Sequence, residues 1–221
     1  FETETLLNKE IGLKRYFFND ALSLRATLFH TDRDQAQLES WMWDAAAGLW
    51  IGYLDSSSDA DNYGAELEGN YQASSELELF LSIGLLQTEI DSLSVFDLDV
   101  NNFVSRNNRD QAKAPNWQYS LGGEYALKPN LRLKIEIEGR DESYYGYYHD
   151  GKLDGYNLLH ASLNYQLGDI GLTFWARNLT DENYAVHGLY FAADARNGWQ
   201  NEIYRQYGAP RTFGLNAVYS F

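Results

Sequence analysis

The chain has 221 residues, no Cys and a formal net charge of −15, so it has neither a disulfide framework nor thiol chemistry. Its charge argues against a nucleic-acid partner, whose phosphates call for a basic face, and no apolar run approaches the roughly 18 residues of a membrane helix. The mean hydropathy of −0.48 has the value of a soluble protein, yet a transmembrane barrel spreads its apolar residues over alternate positions, where an average does not register them.

Alternation at period 2, the mark of a strand with one oily face, begins at once. FETETLLNKEIGLK, from Phe1, already reads as strand with no signal peptide before it. An exported protein needs such a signal, so the sequence is expected to be the C-terminal portion of a longer one. Ile11, Leu13 and Phe17 share a face, interrupted by Arg15. FND at 18–20 reads as a tight turn, after which Leu22, Leu24, Ala26 and Leu28 oppose Ser23, Arg25, Thr27 and Phe29. Residues 41–60 lose the alternation and are expected to form a long loop. It resumes with Tyr63, Ala65, Leu67, Gly69 and Tyr71; ASSE at 73–76 turns the chain into Leu77, Leu79, Leu81, Ile83 and Leu85.

A polar stretch from 91 to 114 is expected to be a second long loop, and Pro115 to open the next strand, with Trp117, Tyr119, Leu121 and Tyr125 on one face. KPN at 128–130 leads into the plainest strand, where Leu131, Leu133, Ile135 and Ile137 alternate with Arg132, Lys134, Glu136 and Glu138. Tyr144, Tyr145, Tyr147 and Tyr148 read as an interfacial aromatic girdle. Leu159, Ala161, Leu163, Tyr165 and Leu167 follow, then a turn at Gly168-Asp169, then Ile170, Leu172, Phe174 and Ala176. A last loop spans 188–207, and Phe213, Leu215, Ala217, Tyr219 and Phe221 close the chain on an alternating strand.

The count is nine strands, joined by tight turns at 18–20, 73–76, 128–130 and 168–169 that alternate with longer connections near 41–60, 91–114, 148–153 and 188–207. Short turns at one rim and long loops at the other make an outer-membrane meander. Alternation alone does not separate an oily face turned to lipid from one buried in a soluble sandwich. Length bears on the choice: the strands run to about 10 to 16 residues, against roughly 5 or 6 in globular domains and about 9 to 11 for a tilted membrane strand. The opposite face carries Arg25, Glu66, Glu68, Glu78, Glu124, Arg132, Lys134, Glu136 and Glu138, which suits a watery or plug-filled interior.

Two segments carry a resemblance. ARNLTDENYAV at 176–186 holds Asn178, Leu179, Asp181 and Tyr184, and the closing GAPRTFGLNAVYSF holds Gly208, Pro210, Arg211 and the terminal Phe221. In this order and spacing they resemble the C-terminal end of a TonB-dependent outer-membrane receptor. The resemblance implies an all-β fold, an antiparallel up-and-down transmembrane β-barrel of 22 strands with a plug in its lumen, of which residues 1–221 supply the last nine. It also implies an outer-membrane location, uptake driven through the TonB system by way of the missing N-terminal part, and recognition of Phe221 by the outer-membrane assembly machinery. The implied ligand is a small molecule, by family default a ferric siderophore, with an oligosaccharide or cobalamin as alternatives. A passive porin and a soluble β-rich binding module are the other readings.

Catalytic constellations are not found. His30, His149, His160 and His187 fall on separate elements without a zinc spacing, and neither a phosphate loop nor a G-x-S-x-G elbow occurs. The reading is therefore no enzyme, no cofactor and no resident metal; Asp97, Asp99 and Asn101 open like a calcium loop but lack its Gly. Function belongs instead to the loops. Trp41, Trp43, Trp50 and Tyr53 in the first, with Tyr190, Phe191, Trp199 and Tyr204 in the last, are the candidates to close over a ligand at the outer mouth, unless they too serve as girdle.

Overall fold

The computed structural model describes residues 2–44 and 46–221, with the backbone alone at Ser57; Phe1 lies outside the described residues. The strands are β1 (Thr5–Phe17), β2 (Leu22–Asp44), β3 (Leu49–Gln72), β4 (Leu77–Asp97), β5 (Asn102–Arg109), β6 (Trp117–Lys128), β7 (Leu131–Arg140), β8 (Ser143–Tyr144), β9 (Lys152–Leu153), β10 (Tyr156–Leu167), β11 (Ile170–Arg177), β12 (Ala185–Phe191), β13 (Glu202–Tyr207) and β14 (Thr212–Tyr219). One antiparallel sheet takes the path β1-β2-β3-β4-β6-β7-β10-β11-β14, with β5 paired to the far end of β4. These nine path strands are the nine read from alternation. The other four pair as separate hairpins, β8 with β9 and β12 with β13.

Register shows why alternation was so informative. Leu24 stands opposite Gly69, Gly69 opposite Leu81, Leu81 opposite Leu121, Leu121 opposite Ile137 and Ile137 opposite Leu159. One residue along, the row runs Arg25, Glu68, Ser82, Ser120 and Glu138 before it ends on Leu158 in β10. Because successive side chains point to opposite faces, these rows are one apolar and one polar surface across the whole sheet. On the polar surface, charges pair between neighbours: Arg25 with Glu68 at 3.0 Å and Arg132 with Glu124 at 2.8 Å.

Among the described residues no second layer covers the apolar surface, where Ile11 is 72%, Ile135 48% and Phe213 68% exposed, while Leu77 and Leu133 are half-buried. A sandwich would bury these side chains between two sheets. The buried cluster lies elsewhere: Ala36, Leu38, Ala60, Ile90, Leu93 and Val95, with Val104 and Tyr147 against it. It sits in the ends of β2 to β5 remote from the tight turns.

The expected long loops are strands instead. β2, β3 and β4 run for 23, 24 and 21 residues, well past the span expected of them. Residues 41–44 and 46–60 belong to the β2–β3 hairpin, while Ala45 lies outside the described residues; 91–114 contain the end of β4 and all of β5, and 188–207 hold most of β12 and β13. The physical reason is local. Register slips occur between Arg33 and Ala36 and again between Ala36 and Leu38, where Gln35 has a left-handed φ of 54°. A bulge inserts a residue and exchanges the faces, so a pattern read in one phase seems to stop while pairing continues.

Candidate functional site

Four hairpins and loops meet at the end opposite the tight turns. At the tip of β2–β3, Trp43 and Trp50 face each other as a cross-strand pair, rings 5.5 Å apart and edge-on. Trp41 lies opposite Gly52, its ring close enough that a Cβ on Gly52 would touch it at 3.4 Å. Trp50 also reaches Phe96, 6.5 Å away, and Phe96 packs on its cross-strand partner Phe103 at 5.6 Å. The β4–β5 turn is pinned by Asp97, whose Oδ1 accepts from the backbone N–H of Asp99 at 2.9 Å.

Residues 145–151 fold inward around Arg109. Its buried guanidinium donates to the carbonyls of Gly146 and His149 and to Asp150, and stacks 4.0 Å from the Tyr144 ring centroid. Arg106 joins Asp97 to Asp150 with two ion pairs of 2.6 Å. Within this frame the His149 ring is only 6% exposed, at 4.1 Å from Tyr145, 5.0 Å from Tyr148 and 4.8 Å from Tyr190. Its Nδ1 accepts from the Gly151 N–H at 2.7 Å, which requires an unprotonated nitrogen there. Burial, with Arg109 and Arg106 beside it, pulls its pKa down to about 4. Tyr190 in turn donates its phenolic hydrogen to Asp99 at 2.7 Å, and burial together with that bond pushes its pKa up to about 12.

Between the hairpin tips lies an apolar hollow of about 290 Å³, walled by the rings of Trp41, Trp50, Tyr148, Tyr190 and Phe191 and closed by Leu98 and Leu189. β3 and β11, which lead to its two sides, are separated in the sheet by β4, β6, β7 and β10. The hollow therefore joins hairpins that lie far apart along the sheet.

Residues 1–179 match the family model described as TonB dependent receptor-like, beta-barrel. The chain belongs to the TonB-dependent receptor β-barrel family. Solved structures of similar fold include the ferric yersiniabactin uptake receptor FyuA from Yersinia pestis, at 18% identity and a TM-score of 0.73, with 97% of this chain and 29% of that one covered. The copper transporter OprC gives 19%, 0.71, 99% and 31%, and the closed form of the ferric-catecholate import receptor Fiu from E. coli K12 gives 17%, 0.68, 98% and 27%. The chain thus spans less than a third of each of these structures.

Members of this family are outer-membrane barrels, and the bare apolar surface of the receptor sheet has the character of a face for lipid. Of the loop residues singled out from sequence, Trp41, Trp50, Tyr190 and Phe191 converge on the hollow. Trp43 backs Trp50 instead. Tyr53 turns to Phe103, at 6.3 Å, with its hydroxyl buried and without a hydrogen-bond partner. Tyr204 supports Phe191 from 4.8 Å and donates to Glu202, while Trp199 is 62% exposed.

The girdle reading of Tyr144 to Tyr148 is overturned. Tyr145 is 4% exposed, Tyr147 packs on the buried cluster, and Tyr148 walls the hollow. Arg109 draws this loop inward, and the only hint in the sequence was so many Tyr beside a His.

The receptor's family motif has a mechanical role that its sequence does not display. Asn178, 2% exposed, donates through Nδ2 to the carbonyls of Glu182 at 2.9 Å and Ala209 at 3.1 Å, and its Oδ1 accepts from the Glu182 N–H at 2.8 Å. Asp181 accepts from the Arg211 N–H at 2.9 Å. A Cβ on Gly208 would lie 2.1 Å from the Tyr184 ring, so only Gly lets that ring lie flat there. The two halves of the motif therefore staple the end of β11 to the entry of β14.

Among the described residues one group has metal-ligand spacing, His30, Asp32 and Asp61. Lys9, 2.9 Å from Asp32, already supplies a cation to it. Asp97 and Asp99 of the calcium-like stretch are engaged by the turn, Arg106 and Tyr190.

Proposed function

We propose that this chain is the C-terminal nine-strand wall of a 22-stranded TonB-dependent transporter that takes up a scarce nutrient across the outer membrane. The cargo is a small metal-bearing molecule such as a ferric siderophore, and the step is transport in which no bond of the cargo is broken. The hollow walled by Trp41, Trp50, Tyr148, Tyr190 and Phe191 is read as part of its binding mouth. What carries this reading is convergence: aromatic side chains from hairpins far apart in the sheet meet above the polar inner surface, where a ligand has to pass. The names of the similar structures, a ferric-catecholate import receptor, a ferric yersiniabactin uptake receptor and a copper transporter, support a metal cargo. The plug and TonB-contacting segment belong to the rest of the receptor in this reading, and the terminal Phe221 serves recognition by the assembly machinery.

Uptake of radio-iron presented with siderophores, in cells making the full-length receptor, tests the proposal. Accumulation is expected to stop when TonB is deleted and to fall at least severalfold in Trp41→Ala. Uptake indifferent to TonB would mean a passive porin. Recovery of the protein in the aqueous fraction without detergent would mean a soluble binding module.

A further inference from the structure

The charge around the aromatic hollow is one-sided. Its walls are five aromatic rings and two Leu, and no basic side chain lines it among the described residues. Three cations of this end are committed, Arg106 to Asp97 and Asp150, Arg109 to Asp150 and two backbone carbonyls, Arg196 to Asp194; Arg205, opposite Gly188 in the β12–β13 hairpin, acts on Tyr145 and does not line the hollow. Over the outward-facing segments 32–61, 87–116, 139–157 and 177–211, carboxylates outnumber Lys and Arg by two to one. At the rim Asp99 takes the Tyr190 hydroxyl hydrogen at 2.7 Å and the Asn201 amide at 3.1 Å, so both neighbouring donors are spent on a carboxylate.

An anionic group entering this hollow would meet an acidic surround and no basic side chain on its walls. A cation meets the negative faces of Trp and Tyr rings, an attraction that grows when water is excluded, inside an acidic field that raises its local concentration. We propose that the hollow is a cation cage: the cargo presents an alkylammonium group to Trp41, Trp50, Tyr148 and Tyr190, and anionic chelates of the same size are disfavoured. The inference rests on the reading of the hollow as part of the ligand mouth. It adds the sign of the charge and the kind of group that is gripped. A volume of about 290 Å³ accommodates a quaternary ammonium head with room to spare.

The test uses the full-length receptor in detergent and its tryptophan emission. The probes are choline, its neutral analogue in which carbon replaces the nitrogen, and tert-butylacetate, an anion of the same shape. Choline is expected to bind saturably and on the order of tenfold more tightly than the neutral analogue, and the anion more weakly than either. Trp41→Leu, which keeps bulk and removes the π face, is expected to erase that preference, while Trp41→Phe keeps most of it. Equal or tighter binding of the neutral or anionic probe overturns the proposal, as does an advantage for choline that survives Trp41→Leu together with Trp50→Leu. Dependence of uptake on TonB is measured separately, so loss of the cage and loss of the transport reading are told apart.

Discussion

Asn178 shows how one side chain closes a wall. Its amide satisfies three backbone groups in a pocket that water does not reach, and a buried group left without its partner costs about 1–3 kcal/mol. Asn178→Asp keeps the acceptor for Glu182 N–H and loses both donors, setting a carboxylate against two carbonyl oxygens. The folded receptor is expected to lose roughly 2–4 kcal/mol from these two groups, seen as a lower urea midpoint and earlier loss of the heat-modifiable band. An unchanged midpoint would remove the staple role. The motif was plain in the sequence; its partners at 208–211 were not, because the bonds join residues about thirty positions apart.

At the scale of elements, the β4–β5 turn, the 145–151 loop and the β12–β13 hairpin are held together around His149. The ring is buried neutral, its pKa lowered from an ordinary 6.5 to about 4. Between those values the opened loops bind more protons than the closed ones, so stability of the cluster is complete above pH 6.5, declines as the pH falls toward 4 and levels off below. Tyrosine and tryptophan emission of the receptor is expected to report loop opening in that window, reversibly and with the strands intact. His149→Phe, which keeps the ring and removes the proton site, is expected to flatten the profile; a transition that persists in it would place the switch elsewhere. These hairpins were misread from sequence as loops. Where bulges exchange the two faces, as in β2–β3 and between Ala185 and His187, a period-2 search loses phase, whereas β4–β5 pairs without a shift and was hidden by its Asn- and Asp-rich composition.

For the whole molecule, burial by protein is confined to one end of the sheet. The apolar register of the nine path strands has no protein layer on it, and the buried cluster lies only in the hairpin extensions. Ile135→Arg, on the surface facing lipid, is expected to cost about 2–4 kcal/mol and to lower the yield of receptor assembled in the outer membrane. Glu138→Gln on the polar surface is expected to change little, since its carboxylate is largely exposed and meets only the half-buried His160 at 3.3 Å. A similar loss from both changes would contradict the assignment of faces.

The strands along the path of the sheet and their division into an oily and a charged face were written in the chain, because both follow from the alternation of side chains along a single strand. The gathering of Trp41, Trp50, Tyr148 and Tyr190 around one hollow, and the turning inward of the 145–151 loop on Arg109, were decided only by tertiary structure. They depend on how far the sheet curls and where its bulges fall, and these set distances between hairpins that no local pattern encodes.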